Sequence, residues 1–342
     1  APAITDPGDY FKTVLWTGDG TRGRSITGVG FKPDFVWIKK RFGGSARSHQ
    51  LFDSVRGPSL TLHSDGQSNE DANTNRLISF DENGFTIGND DGSNGNGDAF
   101  VAWCWQAGAG TTSVNTTGTI NSVVSVNQEA GFSIVEYDGN NTDSATVGHG
   151  LGKIPDLLII KNRDSTVSWG VWHSALLSGQ ILRLDTSTEA QTPSTAYFQD
   201  ENNTSSVFSL GTNNETNSTE RFIAYVWAEI EGFSKFGKYI GNGDDDGPFV
   251  YCGFKPAWVL IKKIDGSGNE NWRLFDSSRS PYNQNNLHLL PSANNAETSE
   301  SGMDFVSNGF KLRHNDAHQN QDGSNYVYAA FAESPFQTAN AK

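Results

Sequence analysis

Phe31-Lys32-Pro33-Asp34-Phe35-Val36-Trp37-Ile38-Lys39 is written twice more in this chain. It returns as Lys153-Ile154-Pro155-Asp156-Leu157-Leu158-Ile159-Ile160-Lys161 and as Phe254-Lys255-Pro256-Ala257-Trp258-Val259-Leu260-Ile261-Lys262. In each, four apolar residues run in succession and end in a lysine, which predicts a strand covered on both faces. The copies recur at about the length of a whole small domain, beyond the periods of the common solenoid repeats.

Other strings keep step with this one. Each copy opens on an aromatic before a glycine turn: Trp16-Thr17-Gly18, Tyr137-Asp138-Gly139 and Tyr239-Ile240-Gly241. After the proline motif come Leu51-Phe52-Asp53-Ser54-Val55-Arg56, the looser Trp169-Gly170-Val171-Trp172-His173-Ser174, and Leu274-Phe275-Asp276-Ser277-Ser278-Arg279. Asn83-Gly84 and Asn308-Gly309 are hairpin signals between β-like segments. Each copy closes on an aromatic strand, Phe100 to Trp105, Phe222 to Trp227 and Tyr326 to Phe331. Short strands at this spacing, without sustained helical periodicity, predict an all-β chain of three tandem β-sandwich domains of jelly-roll or immunoglobulin size. The boundaries fall at 1–108, 109–230 and 231–342, the last with a C-terminal tail. Residues 107–130, rich in Gly, Thr, Ser and Asn, read as a linker that leaves the first domain freer than the other two.

Apolar residues make up 35% of the chain but include 21 Phe, 9 Tyr and 9 Trp, which suits apolar strands joined by polar loops. The net charge of −14 argues against nonspecific nucleic-acid binding and against docking on an anionic membrane, because the long-range field has the wrong sign. No apolar stretch approaches the ~18 residues that span a bilayer, and residues 1–15 lack the basic head and apolar core of a signal peptide. The two cysteines, Cys104 and Cys252, stand where other copies have Val or Ala and read as small core residues without a disulfide.

These strings resemble a repeated module in tail and other virion proteins of tailed bacteriophages, particularly marine ones. The resemblance rests on Gly150 through Arg163, Gly241 through Lys263, and the ending Ala329-Ala330-Phe331-Ala332-Glu333-Ser334-Pro335-Phe336. It implies a place in the phage particle, on the tail or the particle surface, and supplies no catalytic residues.

Candidate chemistry must be weighed against the repeat. Asp53 and Asp276 recur with Arg56 and Arg279 three residues on; a pair repeated at framework positions reads as a structural ion pair before it reads as half of a glycosidase site. The same holds for Lys39, Lys161 and Lys262. Asp244 and Asp246 fit the first half of a calcium loop, yet Gly253 stands where a bidentate Glu is needed. A looser calcium site there is the one cofactor the sequence leaves room for, against the simpler reading of a solvated turn. No other metal motif occurs. Ligand candidates are residues that break the repeat: Trp169, Trp172 and His173 in the divergent middle copy, and loop residues Asp90, Asp91, Asn213, Asn214, Asn315 and Asp316, which would form a hydrogen-bonding rim if the loops share one end of each domain.

The sequence therefore predicts a non-enzymatic structural protein of a phage virion, a tail-fibre or adhesin component that touches host surface glycans or another receptor. Its partners would be other virion proteins, with neither nucleic acid nor membrane insertion, and a homotrimer is the oligomer a fibre suggests. The alternatives are a capsid decoration or another virion subunit and, behind these, a glycan-degrading tailspike.

Overall fold

The computed structural model of the protein describes residues 4–266, 270–300 and 302–334. Pro335 and Phe336 of the closing motif, and the tail after them, lie outside the described residues. The chain is all-β, with two four-residue helices, Asp91–Asn94 and Ala317–Asn320, among the described residues.

Each copy of the repeat builds a larger and a smaller antiparallel sheet. In the first, the larger sheet runs in spatial order Phe11–Thr17, Ala99–Trp105, Phe35–Phe42, Gln50–Asp53, Gly57–Leu62 and Asp71–Ala72. The smaller sheet is Arg24–Thr27, Gly84–Ile87 and Leu77–Asp81. The third copy repeats the order with Ser234–Ile240, Asn325–Phe331, Trp258–Lys263, Arg273–Asp276 and His288–Leu289, beside Phe249–Tyr251, Gly309–Leu312 and Met303–Val306. The middle copy has Phe132–Asp138, Arg221–Trp227, Leu157–Asn162, Gly170–His173 and Leu182–Arg183, beside Ala145–Gly148 and Val207–Leu210. The register is the same in all three: Phe35, Leu157 and Trp258 pair with Trp105, Trp227 and Phe331 on one side and with Asp53, His173 and Asp276 on the other.

The unbroken apolar runs are explained by what covers each face. Alternate residues of a strand point to opposite sides. Phe100, Ala102 and Cys104 face the smaller sheet of their own copy, while Val101, Trp103 and Trp105 enter a cluster shared by all three copies. The other copies divide in the same way, with Val226 and Ala330 in their own cores and Trp227 and Phe331 in the shared one. At its centre the rings of Trp105, Trp227 and Phe331 meet, with centroids 6.1, 5.6 and 6.4 Å apart. These are the same position of the repeat three times over, so the larger sheets close a ring about a pseudo-threefold axis.

This arrangement corrects the expectation of a freer first domain. Residues 107–130 are also more than a linker: Ser113–Asn115 and Ser122–Asn127 add two strands to the larger sheet of the middle copy, the second pairing with Phe132–Asp138. Ile120 and Val124 enter that copy's own core, which the polar composition of the segment conceals. The buried Asp34 carboxylate fastens its start, accepting the backbone N–H groups of Ala107 (2.7 Å), Ala109 (2.8 Å) and Gly110 (2.7 Å).

Candidate functional site

The recurring Asp/Arg pair is sealed inside the ring. Arg56 Nε donates to Asp53 Oδ2 at 2.5 Å with both side chains fully buried. Glu70 bridges Arg56 (3.0 Å) to Arg163 of the middle copy (2.9 Å), and the hydroxyl of Tyr225, also from the middle copy, donates to Asp53 (2.8 Å). Between the first and third copies the same network is built again. Arg279 meets Asp276 at 2.5 Å, Glu297 bridges Arg279 (2.9 Å) to Arg41 (2.8 Å), and Trp103 Nε1 donates to Asp276 (3.0 Å). Burial pushes the Glu297 carboxyl up, but hydrogen bonds from Arg41 and the charge of Arg279 outweigh it and hold the group below the usual range. These carboxylates are saturated with donors and closed to solvent, so they are joints of the ring.

The third interface keeps the backbone contacts and drops the charges. The N–H groups of Glu70, Glu297 and Ala190 donate to the carbonyls of Arg163, Arg41 and Ile264 at 2.9, 2.8 and 3.1 Å. Ala190 and Ile264 thus stand where the other interfaces have Glu and Arg, and both pack on the shared core. Leu176 and His173 replace the Arg and Asp of the buried pair. All four charged positions change together, which leaves no buried charge without a partner.

A second contact is identical in geometry around the ring. His49 Nε2, Trp169 Nε1 and Trp272 Nε1 each lie at hydrogen-bond distance from a backbone carbonyl of the adjoining copy, Leu290 (3.0 Å), His63 (2.9 Å) and Arg183 (2.8 Å). The lysines ending the proline motif sit nearby with their ammonium groups on carbonyls: Lys39 on Arg47 and Asn294, Lys161 on Asn162 and Ser165, Lys262 on Ser187 and Glu270. Burial lowers Lys39 and Lys161 to about 8 and Lys262 to about 7.

The middle-copy candidates belong to this interior. Trp169, Trp172 and His173 are buried, so they present no ring face on which a sugar could stack. His173 donates from Nε2 to the Tyr328 carbonyl of the third copy, its Nδ1 accepts the Ala175 N–H, and burial lowers it to about 4. It is a neutral strut between copies.

The candidate loops lie at equivalent places, and it is other residues of these loops that brace the glycine turns. Buried Asn94, Asn217 and Asn320 each accept from the turn, at the N–H of Asp19 (3.1 Å), Asn140 (2.9 Å) and Asn242 (2.9 Å), and donate back to carbonyls. The opening aromatics reach the residue just before each Asn: Trp16 Nε1 donates to the Ser93 carbonyl, and the hydroxyls of Tyr137 and Tyr239 to those of Thr216 and Gln319. Gly18, Gly139 and Gly241 lie so close that a Cβ would come within 2.1, 2.0 and 2.3 Å of backbone oxygens. Asp90 and Asp316 cap the two short helices, and Asp316 also meets Arg273 and His318. Asn213 accepts the Glu215 N–H, the Asn214 carbonyl accepts from Asn162, Asp91 pairs with exposed Arg47, and Asn315 donates its N–H to Asp245.

Asp244 and Asp246 do not converge on a cation position. Asp244 accepts the Asp246 N–H, and Asp246 turns to Lys311 (2.8 Å) and Arg313 (3.3 Å). No group of three or more His, Cys, Asp or Glu side chains placed for a metal occurs among the described residues. Both thiols are buried, which pushes Cys252 up to about 12.

A family model described as a domain of unknown function, DUF7483, matches residues 6–335. The chain belongs to the DUF7483 family. No curated protein and no solved structure matches it. The DUF7483 span takes in all three copies at once, the same extent as the ring.

Sequence reasoning on this DUF7483 chain missed Glu70, Glu297, Arg41 and Arg163, whose signal was present: an Arg two residues after the motif lysine in two copies, with Ile264 in the third. It also missed Phe249 and Tyr251, exposed on the smaller sheet of the third copy. Equivalent strands carry Ser25-Ile26-Thr27 and Thr146-Val147-Gly148, a departure visible once the copies are aligned.

Proposed function

We propose that this DUF7483 protein is a non-enzymatic structural component of a phage virion, a tail-fibre or adhesin element contacting host surface glycans. In this reading each copy is a β-sandwich module, and three modules in one chain form a rigid head. The observation that carries the reading is the threefold ring. Interfaces locked by backbone bonds, and at two of the three by buried ion pairs, hold the modules together, while the outward faces differ between copies and are free to specialise. The phage-module resemblance of the framework strings supplies the location. Function then lies on the surface of the ring, because the recurring charged groups are spent on its joints.

A second reading, a capsid decoration, is favoured by the compactness of the ring, whose strands are at most eight residues long among the described residues. Immunogold labelling of intact virions with an antibody to this chain separates the two. Label on fibres or tail tip supports the adhesin; label spread over the head supports decoration; unlabelled particles overturn both.

A further inference from the structure

We propose that the outer face of the third copy's smaller sheet is a glycan-binding site for a neutral, hydroxyl-rich sugar chain, an inference that rests on the adhesin reading and gives it a place. Phe249 and Tyr251 are 47% and 63% exposed, while Val250 between them is buried in that copy's core. Alternation puts both aromatic rings on the outer face. Equivalent positions hold Ser25 and Thr27 in the first copy and Thr146 and Gly148 in the second, so the framework does not need aromatics there. Gly309, which pairs with Tyr251, is a framework glycine: a Cβ on it would lie 2.0 Å from the Val250 carbonyl oxygen, as one on Gly84 would from that of Ile26.

A shallow, open polar depression of about 760 Å³ lies on the same side of the sheet, beyond Lys311 from the two rings. Asp245, Asn283, Gln284, Asp304, Arg313 and His314 line it. Lys311 connects the two regions, pairing in register with Phe249 on one strand and with Asp304 on the other. Arg313 is fixed by Asp304 at 2.6 Å, and the Asn283 side chain is held to the backbone of Phe305 by both its amide groups. Tyr282, next to Asn283 in the chain, is 75% exposed.

The chemistry selects the occupant. A purely apolar partner would strip water from the aspartates without compensation. A second copy of this chain, or an anionic glycan, meets the repulsion of a net charge of −14, while locally Lys311 and Arg313 pair with Asp246 and Asp304 and leave little cationic charge to attract it. A neutral sugar chain offers C–H faces to the aromatic rings and hydroxyls that both donate and accept, matching the carboxylate, Gln284 amide and guanidinium groups beside them.

The test is affinity electrophoresis of the full chain through gels containing dextran, mannan or laminarin. Retardation by at least one is expected. The double variant F249S/Y251T, which carries the first copy's residues, should weaken it by at least about tenfold, as two aromatic contacts would. D304N should weaken it as well. The double variant changes exposed side chains, whereas Asp304 is largely buried and pairs with Arg313, so the melting temperature of each variant is measured beside its binding and an unchanged value shows that the ring is intact. Unretarded migration in all three gels, or retardation undiminished in the double variant, overturns the inference. Virion labelling reads the adhesin proposal separately: labelled fibres with unretarded protein sink the glycan site alone, whereas retarded protein with unlabelled particles keeps the site and sinks the virion role.

Discussion

Glu297 shows at the scale of one residue how the ring is held. It joins Arg41 and Arg279, from two copies, in a setting almost closed to water. Removing one member of such a network strands the others, so E297A should lower unfolding free energy by ~3–5 kcal/mol in urea melts. The quadruple variant R41I/D276H/R279L/E297A copies the apolar interface and should recover most of that loss. A quadruple variant weaker than E297A would refute the account of paired replacement. The Glu297 carboxyl lies below its usual 4.5 in the folded protein. Its contribution is therefore complete above that value and fades as pH falls through the folded one, and E297Q should flatten the acid limb of stability against pH. The three buried lysines have the opposite sense. Their folded values, about 8, 8 and 7, lie below the ordinary 10.5. The unfolded chain binds more protons between these limits, so stability should climb as pH rises from about 7 toward 10.5, and K262M should reduce that slope.

At the scale of elements, the proline-motif strands were readable because burial on both faces demands an unbroken apolar run, and the cause of that burial proved to be the neighbouring copies. The glycine turns were readable too, whereas their asparagine clamps were not, since Asn is common in any loop. N217A removes a buried side chain with bonds to Asn140, Thr142 and Gly211. It should cost ~2–3 kcal/mol, because the freed turn groups are left without partners. Segment 107–130 was misread because composition records polarity and misses pairing. Its strand Ser122–Asn127 bonds in register to Phe132–Asp138. Proteinase K should therefore leave 113–127 intact while the protein is folded; early cleavage there would restore the linker reading.

At the scale of the whole molecule, the shared core makes the three copies interdependent. A fragment of residues 1–108 would expose Phe35, Trp37, Trp103 and Trp105, all within 2% of complete burial in the ring. Each buried aromatic is worth ~1.5–3 kcal/mol, so the fragment should fail to fold alone, and the full chain should melt in one transition. A separate early transition in calorimetry would count against closure. Because the threefold arrangement is internal, light scattering should find a 37.1 kDa species in place of the homotrimer a fibre suggests.

The sequence by itself determined the all-β class, the strand pattern and the threefold internal repetition, because periodicity and turn chemistry act over a few residues and are written locally. It also marked the Asp/Arg pairs as framework, since they recur. Only the tertiary structure decided that the copies close into a ring. That closure rests on Trp105, Trp227 and Phe331 meeting across large separations, and on Arg41 and Arg163 reaching carboxylates of another copy. It also decided which repeat-breaking residues are accessible: Trp169 and His173 fill an interface, while Phe249 and Tyr251 face solvent. Aromatic side chains suit a core and a binding face equally well, and only the placement of neighbouring copies separates the two.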